Sequence, residues 1–210
     1  MSSLAQIAEA LMKGKANDVK AMVEAALTAG EKPADILNKG LLAGMNVIGE
    51  RFKKNEVYVP EVLIAARAMK AGMVILQPKL TAAGVQPLGV AVIGTVKGDL
   101  HDIGKNLVGM MLEGAGFKVV DLGIDVSSEK FVSAARENNA KVIGVSALLT
   151  TTMTNMKEVV TTLKGSDMVG KAKVMIGGAP VTQAFSDEIG ADGYAPDAAS
   201  AADLAKKLLK

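Results

Sequence analysis

Through the first part of the chain apolar residues recur at helical spacing, with none of the alternation that marks a strand. Leu4, Ile7, Ala8 and Leu11 line one face before Gly14. Val19, Met22, Val23, Ala26 and Leu27 line a second before Gly30, a residue suited to the left-handed position that ends helices. Pro33, at home in a first helical turn, opens a third helix through Ile36, Leu37, Leu41, Met45 and Ile48 to Lys53-Lys54-Asn55. Pro60 opens a fourth through Leu63, Ile64, Met69 and Met73. These helices predict a four-helix bundle domain over residues 1–86. The stretch Thr81–Pro87 carries the breakers Gly84 and Pro87 and no periodicity, which makes it the linker.

From Leu88 the texture changes to short β-branched runs alternating with helical segments: Leu88–Thr95, Phe117–Leu122, Lys141–Ser146, Ala172–Ile176 and the brief Gly193–Ala195. Parallel strands need crossover connections, and a βα period supplies them with helices. The pattern therefore predicts a flavodoxin-like (Rossmann-like) α/β domain over residues 87–210, a five-stranded parallel sheet covered on both faces. In such sheets ligands sit beyond the carboxyl ends of the strands at the topological switch point, so the segments just after the strands hold the candidate chemistry.

Composition narrows that chemistry. The 210 residues carry 24 Lys+Arg against 22 Asp+Glu, with four Phe, two Tyr and no Trp. Nucleic acid needs a basic stripe and stacking rings, so it is not an expected partner. With no Cys and one His there is no thiolate zinc site, no Cys nucleophile and no metal centre built from three or four protein ligands. Any metal must bring ligands of its own. The start Met1-Ser2-Ser3-Leu4 has no basic leader region, and no apolar run nears the ~18 residues of a membrane span. A cytoplasmic protein that touches no membrane is expected.

After the first strand comes Gly94-Thr-Val-Lys-Gly98-Asp99-Leu100-His101-Asp102-Ile103-Gly104-Lys105-Asn106, a Gly-rich turn into a helix that holds the single His. It lacks the G-x-G-x-x-G of a dinucleotide site. It also misses a phosphate-binding P-loop, since five residues separate Gly98 from Gly104 and Asn106 stands where Ser or Thr would bind magnesium. A phosphorylated receiver domain would want an Asp at the end of the third strand, where Ser146 stands. What remains is an Asp two positions before a His. Such a carboxylate can bond one ring nitrogen, set the tautomer and aim the other nitrogen outward as a ligand or base. On these residues alone another reading stays open, in which Asp99 or Asp102 caps the following helix and His101 is an exposed loop residue. Ser146-Ala-Leu148-Leu-Thr150-Thr-Thr152 after the third strand and Gly177-Gly178 after the fourth add small and hydroxyl residues, which leave room for a bulky ligand.

Asp99-x-His101-x-x-Gly104, then Ser146-x-Leu148, then Gly177-Gly178, each after the expected strand, resembles the cobalamin-binding domain of corrinoid methyltransferases and methionine synthase. The helical stretch Glu50-Arg-Phe-Lys-Lys-Asn-Glu-Val-Tyr58-Val-Pro60-Glu-Val-Leu-Ile-Ala-Ala-Arg67-Ala-Met is similar to that family's cap. A free-standing chain of this size resembles the small corrinoid proteins of three-component systems that demethylate methylamines, methanol, glycine betaine or aryl methyl ethers. The resemblance implies a methyl carrier, a subunit with no complete reaction of its own. It would hold cobalamin or a related corrinoid base-off and His-on, take a methyl group on Co(I) from a substrate-specific methyltransferase, and pass it from methyl-Co(III) to a second methyltransferase acting on tetrahydrofolate or a thiol. A reductive activation protein is the further partner implied.

The same resemblance assigns roles residue by residue. His101 would be the lower axial cobalt ligand, Asp99 would orient it, and Thr152 would stand where the family often has a Ser bonded to that Asp. Ser146, Leu148, Thr150, Gly177 and Gly178 would line the channel for the displaced nucleotide tail, with the Tyr194–Ala198 turn closing its far end. Gly98, Leu100, Asp102, Ile103 and Gly104 would shape the loop beneath the corrin, and Tyr58, with Val62 and Ala65, would shield it from the bundle side. For transfer the bundle must move aside, with Thr81–Pro87 as the hinge. A cobalamin-dependent sensor acting through a partner is the alternative, disfavoured because no helix carries a basic recognition flank. The cobalamin subunit of a radical mutase is disfavoured by the cap, and a flavin spectrum would mark a flavodoxin-like binder of another cofactor.

Overall fold

In the computed structural model, which describes residues 3–210, helix α1 (Ser3–Met12) buries Leu4, Ile7, Ala10 and Leu11. Met1 and Ser2, where the reading of the N-terminus begins, lie outside the described residues. Helix α2 (Ala16–Thr28) buries Val19, Val23 and Ala26. The third expected helix is one continuous stretch, α3 (Pro33–Asp35), a π-helical segment Ile36–Leu42 and α4 (Ala43–Lys53). The π turn has a cause in the sequence. Ile36 and Leu41 are both fully buried, and i→i+5 bonding brings residues five apart onto one face.

Helix α5 (Val59–Ala82) starts with Pro60 in its first turn, and the Tyr58 N–H donates to Glu61 Oε2 at 3.0 Å, one half of a capping box. It runs beyond Met73 and through Pro78 into the stretch expected to be linker. Proline frees the carbonyl four residues back, here that of Val74, and both residues are exposed so that water can bond it.

The chain divides into two units. One ends at Pro87 and takes in Gly114–Gly116, and the other holds Leu88–Glu113 and Phe117–Lys210. In the second, β1 (Val90–Thr95), α6 (Ile103–Gly114), β2 (Lys118–Asp121), α7 (Ser128–Glu137), β3 (Val142–Ser146), α8 (Thr154–Lys164), β4 (Lys173–Gly177), α9 (Gln183–Ile189), β5 (Gly193–Tyr194) and α10 (Ala198–Leu208) follow in order. The strands pair in parallel as β2-β1-β3-β4-β5, the flavodoxin-like order, with its switch point between β1 and β3. The register pairs Thr95 with Ser146 and Ser146 with Gly177, so these residues share the carboxyl edge of the sheet.

Val92, Ile143, Val145, Val174 and Ile176 of the strands pack with Phe131 of α7 and Met156, Val159 and Leu163 of α8 in one core. Each full burial of such a side chain stabilises by roughly 1.5–3 kcal/mol. Within this unit Ser186 of α9 is fully buried, and its hydroxyl meets no hydrogen-bond partner among the described residues. An unmet buried hydroxyl costs about 1–3 kcal/mol, and Ala is the better helix former. Ser186→Ala is therefore expected to raise the urea midpoint of unfolding. A lowered midpoint would reveal a partner for the hydroxyl, such as a buried water. Among the described residues no helix is long and apolar enough to cross a membrane.

Candidate functional site

Between β1 and α6 the chain forms no regular element, so its backbone polar groups need other partners. The Val96 N–H donates to Ser146 O at 3.0 Å, the Asn155 side-chain amide to Lys97 O at 2.6 Å, the Asp99 N–H to Val96 O at 3.1 Å, and the buried Thr95 hydroxyl to His101 O at 2.8 Å. Gly98 takes a φ of +81°, a conformation open to glycine at little cost. The loop is thus tied to its neighbours on both sides of the switch point.

Asp99 is fully buried, and donors from two loops converge on it. One carboxylate oxygen accepts from His101 Nδ1 at 2.7 Å and from the His101 N–H at 3.1 Å. The other accepts from the Leu148 N–H at 2.8 Å, the Thr152 hydroxyl at 2.7 Å and the Leu149 N–H at 3.3 Å. The β1–β3 register makes this possible, because it sets the loops after those strands side by side. Burial would push the Asp99 carboxyl up. The hydrogen bonds from Thr152, His101 and Leu148 outweigh it and hold the group well below the usual carboxylate range.

This ionised, acceptor-only group can only accept from His101 Nδ1, so it favours the tautomer that carries its hydrogen there and leaves Nε2 as the nitrogen turned away from it. The His101 side chain is 50% exposed. Among the described residues no three His, Cys, Asp or Glu side chains gather to hold a metal. The site offers a single oriented imidazole. Asp99 spends its carboxylate on His101 and the loop after β3, whereas Asp102 is the residue that stands directly before α6.

Asp99→Asn places an NH2 group against donors whichever way the amide turns, and each donor left unmet costs about 1–3 kcal/mol. A carboxyl with a depressed folded-state pKa lends stability above its unfolded value of about 3.9 and loses it as pH falls toward the folded value. The stability gap between wild type and Asp99→Asn in urea unfolding is therefore expected to be full at neutral pH and to shrink below about pH 4. A gap constant across that range would show that the charge of Asp99 does not carry the effect.

The other sequence-picked residues fall into groups. Thr152 is buried against Asp99, and Leu148 contributes its backbone to the same carboxylate. Ser146 and Gly177 pair in register at the sheet edge. At Gly178, φ +139°, a Cβ would lie 1.8 Å from the carbonyl oxygen of Ala147, a reason for glycine that needs no ligand. Asp102 precedes α6 and accepts from the Asn106 side chain at 3.0 Å, and Gly104 lies in the exposed first turn. Thr150 is exposed and makes none of the bonds to Asp99. Ala198 is buried at the start of α10, where Asp197 accepts from the Ala199 and Ser200 N–H groups at 2.9 and 2.8 Å. In the helical unit the Tyr58 ring is exposed. Val62 and Ala65 are fully buried.

Two features went unread in the sequence. Leu100 and Ile103 are 67% and 77% exposed, and Ile124, Leu148 and Leu149 are each 42% exposed. Leu100, Ile124, Leu148 and Leu149 stand on the loops after β1, β2 and β3, and Ile103 opens α6, so apolar side chains are exposed at the same edge of the sheet that carries His101. Ile124 and Leu149 were missed because exposure has no sequence signature. The second is Lys105, whose ammonium is buried, pairs with Asp121 and donates to Asn106 Oδ1 at 2.6 Å. A cation neutralised in this way does not reach for a phosphate, so the structure closes the P-loop reading that the loop narrowly missed.

An exposed imidazole held by a carboxylate, apolar side chains nearby and, among the described residues, no cluster of further protein ligands together suit a flat metal complex that carries its own equatorial ligands. Comparison with known proteins agrees. Residues 89–203 match the family described as B12 binding domain, and residues 3–77 match a second family of the same description. Dimethylamine corrinoid protein 1 of Methanosarcina mazei is 48% identical over 98% of this chain and 95% of its own length. A corrinoid protein of Desulfitobacterium hafniense is 42% identical over 100% and 98%. Among solved structures, the methanol:cobalamin methyltransferase complex of Methanosarcina barkeri aligns with a TM-score of 0.84 at 33% identity, covering 94% of this chain and 75% of that one. A cobalamin-binding protein of Desulfitobacterium hafniense aligns over the full length of both chains with a TM-score of 0.82 at 30% identity.

Proposed function

The chain belongs to the family of B12-binding corrinoid proteins, and from that premise we propose that it is a methyl carrier. In this reading it takes a methyl group from a substrate-specific methyltransferase and yields it to a second methyltransferase. The observation that carries the proposal is the Asp99–His101 pair, a buried carboxylate holding one ring nitrogen so that the other faces out at the switch point. When bound, a corrinoid supplies a cobalt whose reduced form is a strong nucleophile toward methyl groups. His101 Nε2 is the atom of this chain that would hold the cobalt. Asp99 holds the Nδ1 proton, and Thr152 and Leu148 hold Asp99, so the imidazole does not have to be reoriented when ligation changes. Leu100, Ile103 and Leu148 would supply apolar surface for the corrinoid.

A methylamine is the methyl donor to test first, since the relatives at 48% and 47% identity are named dimethylamine corrinoid proteins. The partners are then a methylamine methyltransferase, an acceptor methyltransferase for tetrahydrofolate or a thiol, and a reductive activation protein, and the protein works in the cytoplasm. The test is reconstitution with hydroxocobalamin, followed by reduction and isotope-labelled methyl iodide. One corrinoid per chain with a base-off, His-on spectrum, and label retained in the dark but released by light, is the expected result. A chain that takes up no corrinoid would overturn the proposal.

A further inference from the structure

We infer that Asp125, in the loop after β2, is a positioning residue that sets the backbone from which Asp99 reaches His101. Its purpose rests on the reading of His101 as the ligand, while its geometry stands alone. The segment that carries it is laid along the end of β1. The Thr95 N–H donates to Gly123 O at 3.0 Å, the Val126 N–H donates to Thr95 O at 3.0 Å, and Val96 and Val126 form a parallel bridge. Between these ties Asp125 adopts a φ of +53°, in the left-handed region that costs an L-residue other than glycine some energy and that Asp and Asn tolerate best.

From that conformation one residue makes two bonds of opposite sense to adjacent positions of the His101 loop. The Asp125 N–H donates to Asp99 O at 3.1 Å, and Asp125 Oδ1 accepts from the Gly98 N–H at 2.7 Å. Together they clamp the Gly98–Asp99 unit, itself bent through the left-handed φ of Gly98. Three facts set this apart from ordinary turn chemistry. The carboxylate bonds a residue 27 positions away and not its own turn. The N-cap of α7 is Ser127, so Asp125 is not required there. A glycine would accept the φ without strain but would lose the acceptor, so the side chain has a purpose beyond the turn. Asp99 can aim His101 only if its own Cα is fixed, and Asp125 supplies the tie from the β2 side that Thr152 and Leu148 supply from the β3 side.

The chain has one His, so a long-range ¹H–¹⁵N spectrum of the corrinoid-free protein shows a single imidazole. Recorded at a pH well above the ordinary imidazole range, it reads the tautomer directly. Wild type is expected to show the Nδ1–H form. Asp125→Gly relieves the backbone and deletes the acceptor, and is expected to raise the minor tautomer about fivefold, the effect of losing one modest hydrogen bond. Asp125→Ala does the same with added backbone strain. Asp125→Asn keeps both the φ preference and an oxygen acceptor and is expected to restore the wild-type spectrum. Wild-type imidazole signals in Asp125→Gly, or an Asp125→Asn spectrum matching that of Asp125→Gly, would overturn the inference. Failure of wild type to take up hydroxocobalamin would overturn the methyl-carrier reading instead and leave these spectra untouched.

Discussion

His101→Ala is expected to leave the α/β unit folded while abolishing the His-dependent part of the corrinoid spectrum and most of methyl transfer. The stability expectation follows from exposure. The ring is half exposed and Asp99 is the partner of its Nδ1, so truncation removes little packing. Asp99 keeps the Leu148, Leu149 and Thr152 donors and the His101 backbone N–H, so the loss should stay within about 1 kcal/mol. The chemical expectation is much larger. Loss of an outer partner of a metal ligand costs roughly 10–100-fold in affinity or activity, and loss of the ligand itself should exceed that. Visible spectra of the two proteins reconstituted side by side, with transfer assayed from labelled methyl iodide, make the comparison. Imidazole added to the variant should restore part of the spectrum, because the Nε2 donor is what has been removed. Identical spectra for wild type and variant would remove His101 from the site.

How much of this site could be read in the sequence depends on distance along the chain. Asp99 and His101 stand two positions apart, so their pairing is a local inference that spacing supports. Leu148 and Thr152 reach the same carboxylate from 49 and 53 residues away, and only the β1–β3 register brings them there. No pattern in the residues announces that register, and it was family resemblance that pointed to Thr152. Asp125 lay beyond both routes, because a left-handed Asp in a loop looks like any turn residue until its partner is known. In the helical unit the four periodic segments carried the architecture, and the five-residue step from Ile36 to Leu41 was an unread sign of the π turn. Pro78 stands inside α5, where at an exposed turn it costs less than the packing of Leu76 and Leu80 returns, both of them buried.

Gly177 and Gly178 separate two explanations of one motif, and alanine at each position should give unequal results. If the glycines serve only to keep a ligand channel open, both alanine variants fold like wild type and differ from it only in corrinoid uptake. The structure favours another outcome. At Gly177 a Cβ would meet Ala195 O at 3.1 Å, a contact that a small shift relieves. At Gly178 it would lie 1.8 Å from Ala147 O and 2.9 Å from the carbonyl carbon, both backbone atoms at the end of β3, and φ is +139°. No rotamer change relieves such an overlap, in contrast to Gly94, where the atoms met at 2.8 Å belong to the Phe131 ring. The Gly-only backbone region costs an L-residue about 1–3 kcal/mol, and forced separation of packed groups costs a further 1–3. Gly178→Ala is therefore expected to lose about 2–6 kcal/mol, and Gly177→Ala about 1–2. Because the chain holds two units, a single melting temperature would blur the effect. Amide hydrogen exchange in the corrinoid-free protein reads it locally, with protection lost at the carboxyl ends of β3 and β4 in Gly178→Ala and retained in Gly177→Ala. Equal protection in both variants would return the Gly-Gly pair to a purely ligand-facing role.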